Sequence, residues 1–156
     1  MSPRTLEVLV SDHGEEFWDH DGYEHNHSLY QELVHVVMMI RTPGGWSGGP
    51  HRNHEPVGLI DVVPTLLDTL EIPKEQWGDL DGISLKALLD GGAAVQVDAL
   101  SQRLAARPRV QGHLMFDTEL WSVVQDGWKY ILHSASGREE LYNLTTDPKE
   151  QHNRAR

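Results

Sequence analysis

Apolar residues in this chain gather into short runs separated by longer polar stretches. Leu6, Val8, Leu9 and Val10 make the first run, and its β-branched content and abrupt end at Ser11-Asp12-His13-Gly14 predict a buried strand. Val36 to Ile40 is a second continuous run, too short for a buried helix, and predicts a parallel strand covered on both faces. Between the two, Glu15 to Asn26 is polar and acidic and predicts a loop that Phe17, Trp18 and Tyr23 pack down. Ser28 to Val34 predicts a short helix with Ser28 as its N-cap and Leu29 and Leu33 turned inward.

Further along, Val62, Val63, Leu66, Leu67 and Leu70 recur at the spacing of a one-sided helix over Leu59 to Leu70. Asp61 reads as its cap, and Pro64 falls in the first turn, where a missing amide has no intrahelical partner to lose. Ser84 reads as the cap of a helix over Leu85 to Leu89, and Gly91-Gly92 ends it. From Val95 to Val110 the pattern loosens. Beyond it, Leu120 to Val124, Asp126-Gly127 and Trp128 to Leu132 predict a hairpin, with a third strand at Glu139 to Tyr142. The expected organisation is therefore α/β over residues 1–95, with a small antiparallel subdomain over 96–156. Two continuous apolar strands require neighbours at their edges and helices on both faces, more than the remaining pattern supplies, so the predicted sheet is incomplete.

Composition narrows the class. The chain has 156 residues, 38% of them hydrophobic, which suits a folded domain, and no stretch is long and apolar enough to suggest a membrane span. Thirteen basic against 24 acidic residues leave a net charge of -11, which argues against nucleic acid or an anionic membrane as the principal partner. An anionic substrate would need local help from a metal or a few arginines. The absence of cysteine excludes disulfides, thiolate metal sites and a cysteine nucleophile within these residues. Met1 to Val10 contains no apolar targeting segment, and nothing in the pattern indicates a compartment.

The chemistry concentrates where the first strand stops. Neighbouring side chains of a regular strand point to opposite faces, so Asp12 and His13 can reach one ion only if the strand has ended, and Gly14 offers the backbone freedom to end it. Carboxylate oxygen and neutral imidazole nitrogen both bind divalent metals. His20, His25 and His27 follow with Glu15, Glu16, Asp19, Asp21 and Glu24, and seven of the ten histidines lie between His13 and His54.

Ser11-Asp12-His13-Gly14-Glu15, then His25 and Leu29-Tyr30-Gln31-Glu32, resemble the sulfatase family of the alkaline phosphatase superfamily. The likeness continues in order through Arg41-Thr42-Pro43-Gly44, Asp61 to Leu67, Asp81 to Leu85, Gly127-Trp128-Lys129-Tyr130, Leu141 to Leu144, Asp147-Pro148-Lys149-Glu150 and Asn153. It implies the C-terminal half of an alkaline phosphatase-like sandwich, in which parallel strands with flanking helices precede a small antiparallel sheet. It also implies that Asp12 and His13 hold a divalent metal, that His25 contacts the ester or protonates the leaving oxygen, and that Lys129 helps to admit the anion unless it is a solvated strand lysine. Calcium is the family's usual ion, and an imidazole ligand admits manganese or zinc. The family's nucleophile, a formylglycine made within Cys/Ser-x-Pro-x-Arg, has no counterpart in these residues and would belong to the missing N-terminal half. The implied substrate is a sulfate ester. Phosphodiesterases and phosphoethanolamine transferases of the same superfamily share the Asp-His-Gly segment and form one alternative, and a non-catalytic metal-binding module forms another.

Overall fold

The computed structural model describes residues 4–45, 52–92, 98–104 and 119–156. In chain order these form β1 (Glu7–Val10), β2 (Glu16–Phe17), β3 (Tyr23–Glu24), α1 (Gln31–Val34), β4 (Met38–Arg41), α2 (Val62–Thr69), α3 (Lys86–Leu89), β5 (Ala99–Arg103), β6 (Leu120–Gln125), β7 (Trp128–His133) and β8 (Arg138–Asn143). They fall into two compact units, Met1–Ser11 with Val37–Val97, and Asp12–Val36 with Asp98–Arg156. The boundary expected near residue 95, and His51, lie outside the described residues. Among those described, no helix is long and apolar enough to cross a membrane.

In the first unit, β1 and β4 pair antiparallel, with Glu7 opposite Arg41 and Leu9 opposite Met39. This corrects the parallel arrangement expected for these runs. A continuous apolar run records burial and not direction, whereas the charges at its end do bear on register: Arg41 Nε donates to Glu7 Oε2 at 2.9 Å across the ladder. Coverage differs from expectation too. Ile40 is buried, but Leu9 and Met39 are more than half exposed.

A single 3-10 turn over Leu59–Asp61 leads into α2. Pro64 sits buried in the first turn of α2, as its position predicts. Asp61 does not cap α2 with its side chain. Its buried carboxylate accepts the N–H groups of Gly58 and Ile83, each at 2.9 Å, and so ties the turn before the helix to the segment that precedes α3. Thr65 reinforces that tie, since its hydroxyl donates to the Asp61 carbonyl and accepts the Leu85 N–H at 2.8 Å. The N-cap of α3 is Leu85 and not Ser84 as expected; Ser84 lies one residue earlier, where its hydroxyl accepts the Lys86 N–H at 3.2 Å. The Gly92 N–H closes that helix onto Ala87 O at 2.8 Å.

The second unit is built on a four-stranded antiparallel sheet in the order β5-β6-β7-β8. Asp126 and Gly127 both have positive φ, 49° and 75°, which is what a tight two-residue hairpin between β6 and β7 demands. Strand β5 was not expected from the pattern. Leu29 and Leu33 are buried as predicted, with Leu120, Ile131 and Tyr142.

Two expectations for this unit are corrected. Helix α1 starts at Gln31, and Ser28 does not cap it: the Ser28 hydroxyl makes no hydrogen bond, and the Gln31 N–H donates instead to Glu150 Oε2 at 2.6 Å. The expected loop at Glu15 to Asn26 contains the hairpin β2–β3, whose aromatics do not pack it down. Phe17, Trp18 and Tyr23 are all exposed, and the first two meet the Tyr23 ring, Phe17 edge-on at 6.3 Å and Trp18 stacked with ring centroids 5.8 Å apart.

Candidate functional site

The strand ends where its sequence says it should, at Val10, and the chain enters the second unit at Asp12. Gly14 is required there for closeness of approach. Its N–H donates to Leu33 O at 2.8 Å, and a Cβ at this position would lie 1.9 Å from the Glu32 carbonyl oxygen. Only glycine lets the segment press against the backbone of α1, and that contact places Asp12, His13 and Glu15.

Asp12 and His13 face the same region. Asp12 Oδ1 accepts the His13 N–H at 3.0 Å and lies 3.8 Å from His13 Nε2. His13 Nδ1 is 2.6 Å from Gly14 O, and because a carbonyl only accepts, Nδ1 is the protonated nitrogen and Nε2 carries the lone pair. Two donor atoms bound at about 2.1 Å to one ion lie roughly 3–3.5 Å apart in tetrahedral or octahedral geometry. The observed 3.8 Å is a small side-chain rotation from that range. An exposed carboxylate and a half-exposed imidazole with its lone pair on Nε2 therefore fit two ligands of a divalent cation.

His25 joins them. Its ring stacks on that of His13 with centroids 4.0 Å apart and planes 23° from parallel. Its Nδ1 lies 3.2 Å from Glu15 Oε1, an acceptor, so Nδ1 carries a proton and Nε2 is left as the outward nitrogen. Glu15 was counted among the loop acids without a role. The available signal was its place directly after Gly14, which keeps its carboxylate beside whatever Asp12 and His13 hold.

The other histidines of the stretch are engaged differently. Glu16 is fully buried; its Oε1 accepts the N–H groups of His20 and Gly22 at 2.9 and 2.7 Å, and its Oε2 lies 2.5 Å from His27 Nε2. Burial alone would raise the Glu16 carboxyl, but these hydrogen bonds outweigh it and hold the group below its ordinary range. His20 stacks on Tyr30 with centroids 3.7 Å apart and sits between Glu32 Oε1 at 2.5 Å and Glu150 O at 3.2 Å. Burial would lower the pKa of His20, yet the facing oxygens raise it above the ordinary value. Glu16, His20 and Glu32 bring ligand atoms within 4.8 Å of one another; His20 Nδ1 and Glu32 Oε1 are joined directly, and Glu16 Oε1 is taken up by the backbone N–H groups of His20 and Gly22, so the group reads as a closed network.

Lys129 corrects both sequence readings, since it neither meets solvent nor offers its charge to a ligand. It is fully buried, its Nζ 2.9 Å from Glu150 Oε1 and 3.3 Å from Gln31 Oε1. Burial pushes the Lys129 ammonium down and the Glu150 carboxyl up, against their mutual attraction. Glu140 is a second buried hub, taking the hydroxyls of Tyr30 at 2.8 Å and Tyr142 at 2.5 Å, and lying 2.5 Å from His133 Nε2. The later landmarks are likewise structural: Asp147 accepts the N–H groups of Gln151 and His152, and Asn153 Oδ1 accepts that of Leu141. A cavity of about 180 Å³ in this unit is lined by His27, Ser28, Tyr30, His133 and Glu140, and none of Asp12, His13 or His25 borders it.

Comparison with known proteins finds similarity to sulfatases over most of the chain. Residues 2–72 match the Sulfatase family model. Arylsulfatase K of Gallus gallus is 30% identical over 149 residues, which are 94% of this chain and 27% of that protein. A solved structure in complex with its substrate D-glucosamine-2-N,6-O-disulfate superposes with a TM-score of 0.69 at 22% identity, covering 95% of this chain and 29% of that one. The phosphonate monoester hydrolase of Silicibacter pomeroyi superposes with a TM-score of 0.70 at 23% identity, covering 94% and 31%. The chain thus spans just over a quarter of the length of the curated relatives it matches, less than the half that the order of motifs suggests.

Proposed function

From its similarity to sulfatases, we propose that the chain belongs to that family and forms the metal-ligating and leaving-group side of a sulfate ester hydrolase. The observation that carries this reading is the meeting of Asp12, His13 and His25, with Oδ1 and Nε2 of the first two 3.8 Å apart and the third ring stacked beside them. Asp12 and His13 supply two ligands to a divalent cation, calcium by family habit, with manganese or zinc compatible with imidazole. Such an ion, when bound, acts as a Lewis acid that offsets charge on the ester oxygens and orients the reacting groups.

The chain's own residues then have distinct tasks. Gly14 keeps the ligand segment close to α1. His13 holds its lone pair on Nε2 because Nδ1 is committed to the Gly14 carbonyl. Glu15 fixes the ring of His25 through Nδ1, so that Nε2 is the atom presented to the departing oxygen, which an imidazolium can protonate as the ester bond breaks. No Cys/Ser-x-Pro-x-Arg motif occurs among the 156 residues, so the nucleophile is assigned to a further polypeptide portion of the same fold.

Phosphoryl transfer stands as the second reading, because a phosphonate monoester hydrolase shares the fold. One experiment separates the two: expression of the longest reading frame containing this chain, assayed side by side on p-nitrocatechol sulfate and bis(p-nitrophenyl) phosphate in calcium or manganese. The proposal expects sulfate release that falls at least about a hundredfold in Asp12→Asn and His13→Ala. Preferred cleavage of the phosphate diester assigns the chain to the second reading, and sulfate release indifferent to both substitutions removes Asp12 and His13 from the site.

A further inference from the structure

The aromatic residues of the β2–β3 hairpin are surplus to what holds it together. The buried Glu16 carboxylate accepts the N–H groups of His20 and Gly22, the Phe17 N–H donates to Asp19 Oδ2 at 3.3 Å, and the Trp18 N–H donates to Gly22 O at 2.9 Å. Gly22 fits tightly, since a Cβ there would lie 2.3 Å from His27 Nε2. The turn is thus fixed from inside, yet Phe17 is 65% exposed, Trp18 69% and Tyr23 55%. Three large rings held in water by a fixed turn forgo the burial that ordinarily places them. Trp18 also has a φ of 69°, a costly conformation for a bulky residue.

These rings share a face with the candidate site. β2 begins at Glu16, and the alternation of its side chains sets Glu15 and Phe17 on the face opposite the buried Glu16. Each meets a residue of the returning chain: Glu15 reaches His25 Nδ1 at 3.2 Å, and Phe17 meets Tyr23 with ring centroids 6.3 Å apart. The two pairs follow one another at about 6.6 Å, two residues of strand rise. A row therefore runs from His25, whose Nε2 is presented to the departing oxygen, through Tyr23 and Phe17 to Trp18.

We infer that this row seats the alcohol released from the ester, and that the alcohol is an uncharged pyranose stacked by its C–H face on Tyr23 and Trp18. The inference rests on the sulfate ester reading and adds to it the residues that select the leaving group. Charge favours a sugar over an aryl alcohol, and disfavours a sugar bearing further anions. Asp19, Asp21 and Glu24 stand exposed on the same hairpin, and no lysine or arginine occurs between Arg4 and Arg41. Carboxylates accept the hydroxyls of a sugar, for which an aryl ring has no counterpart, and they repel a second acidic group.

The test uses the protein expressed from the longest reading frame containing this chain, and reads binding apart from hydrolysis. Methyl glucoside, methyl galactoside and methyl N-acetylglucosaminide carry no ester, and each is titrated while the Trp18 indole N–H, identified by its loss in Trp18→Phe, is followed by NMR. The signal shifts and saturates at millimolar pyranoside, and Tyr23→Ala weakens that binding about tenfold. Glycerol, which has hydroxyls and no ring, gives no shift. Methyl glucuronide binds at least about threefold more weakly than the glucoside, by a margin that salt narrows. Amide exchange of His20 and Gly22 verifies the hairpin in each variant. In hydrolysis, Tyr23→Ala raises KM for N-acetylglucosamine 6-sulfate and spares ethyl sulfate, and an equal effect on both overturns the inference. No shift with any pyranoside overturns it too, as does a glucuronide bound as tightly as the glucoside, and in those cases release of sulfate from p-nitrocatechol sulfate shows separately that the ester reading stands. Phenol bound in place of the pyranosides gives the row to an aryl alcohol and overturns the sugar. A pyranoside shift in a protein that releases no sulfate overturns the leaving-alcohol assignment together with the ester reading.

Discussion

Replacing Lys129 with methionine tests whether the second unit depends on a buried charge pair. Lys129 Nζ and Glu150 Oε1 lie 2.9 Å apart, and both side chains are withdrawn from water. Glu150 also accepts the Gln31 N–H through Oε2 at 2.6 Å, the hydrogen bond that starts α1. Methionine matches the lysine stem and removes only the ammonium, which leaves a buried carboxylate with one backbone donor. Breaking a buried pair from one side costs about 3–5 kcal/mol, against a typical domain stability of roughly 5–15 kcal/mol. The carboxylate has an escape, since burial already raises its pKa and protonation relieves the stranded charge. Lys129→Met should therefore cost most near pH 7 and less as the pH falls. Adding Glu150→Gln should recover more than half of the loss, because a neutral amide oxygen still accepts the Gln31 N–H. The assay is native-state hydrogen exchange of the β6 and β7 amides across the double-mutant cycle. A single-mutant cost under about 1 kcal/mol, or costs that simply add, would refute the view that this pair organises the unit.

Acid should loosen the second unit through Glu140 and Glu16. Both carboxyls titrate below the ordinary 4.5 when folded, burial opposing and hydrogen bonds prevailing, so their stabilisation is complete above about pH 4.5 and is lost as pH falls through the lowered values. Thermal melts between pH 3 and 6 should show this limb, and Glu140→Gln should flatten it. His20 works in the other direction: its folded pKa is raised, so its contribution is complete below pH 6.5 and is lost as pH climbs through the folded value, a limb that His20→Gln should erase. Gly14→Ala should cost about 3 kcal/mol, because the clash is with backbone that cannot swing aside, and a melt unchanged from wild type would show that the contact with α1 is dispensable. Glu15→Gln should leave the fold intact but mix the tautomers of His25, read from its ring nitrogen shifts by NMR; an Nδ1–H form that persists unmixed would deny Glu15 its positioning role.

What the sequence discloses here is local, and what it hides is partnership. The hairpin at Asp126-Gly127 is legible because two residues at positive φ announce the turn, and Pro64 is legible because its missing donor restricts it to a first turn. Strand direction is not, since Val36 to Ile40 would look the same in either pairing, and the match of Glu7 with Arg41 shows only once the register is known. Capping serines misled for a related reason. Ser28 has the right identity but lies two residues before the N-cap position, Tyr30, and the start of α1 is held by Glu150, far away in the chain, which no local pattern can announce. The same holds for Lys129, whose motif suggested an anion and whose partner turned out to be internal.

The histidines carry that argument into the site. His20 and His25 are indistinguishable by composition, each set among acids within the same polar stretch. Their fates differ because Glu32 and the Glu150 carbonyl close on the ring nitrogens of His20 and Tyr30 covers its ring, whereas His25 finds the face of His13 and a single carboxylate at its far nitrogen. A histidine with both ring nitrogens facing internal oxygens is committed to structure. One anchored at Nδ1 alone keeps Nε2 for chemistry. The fold therefore sorts these residues by how many of their hydrogen bonds it consumes. By that measure His25, held by Glu15, stands with Asp12 and His13 in the candidate centre, and His20 belongs to the scaffold.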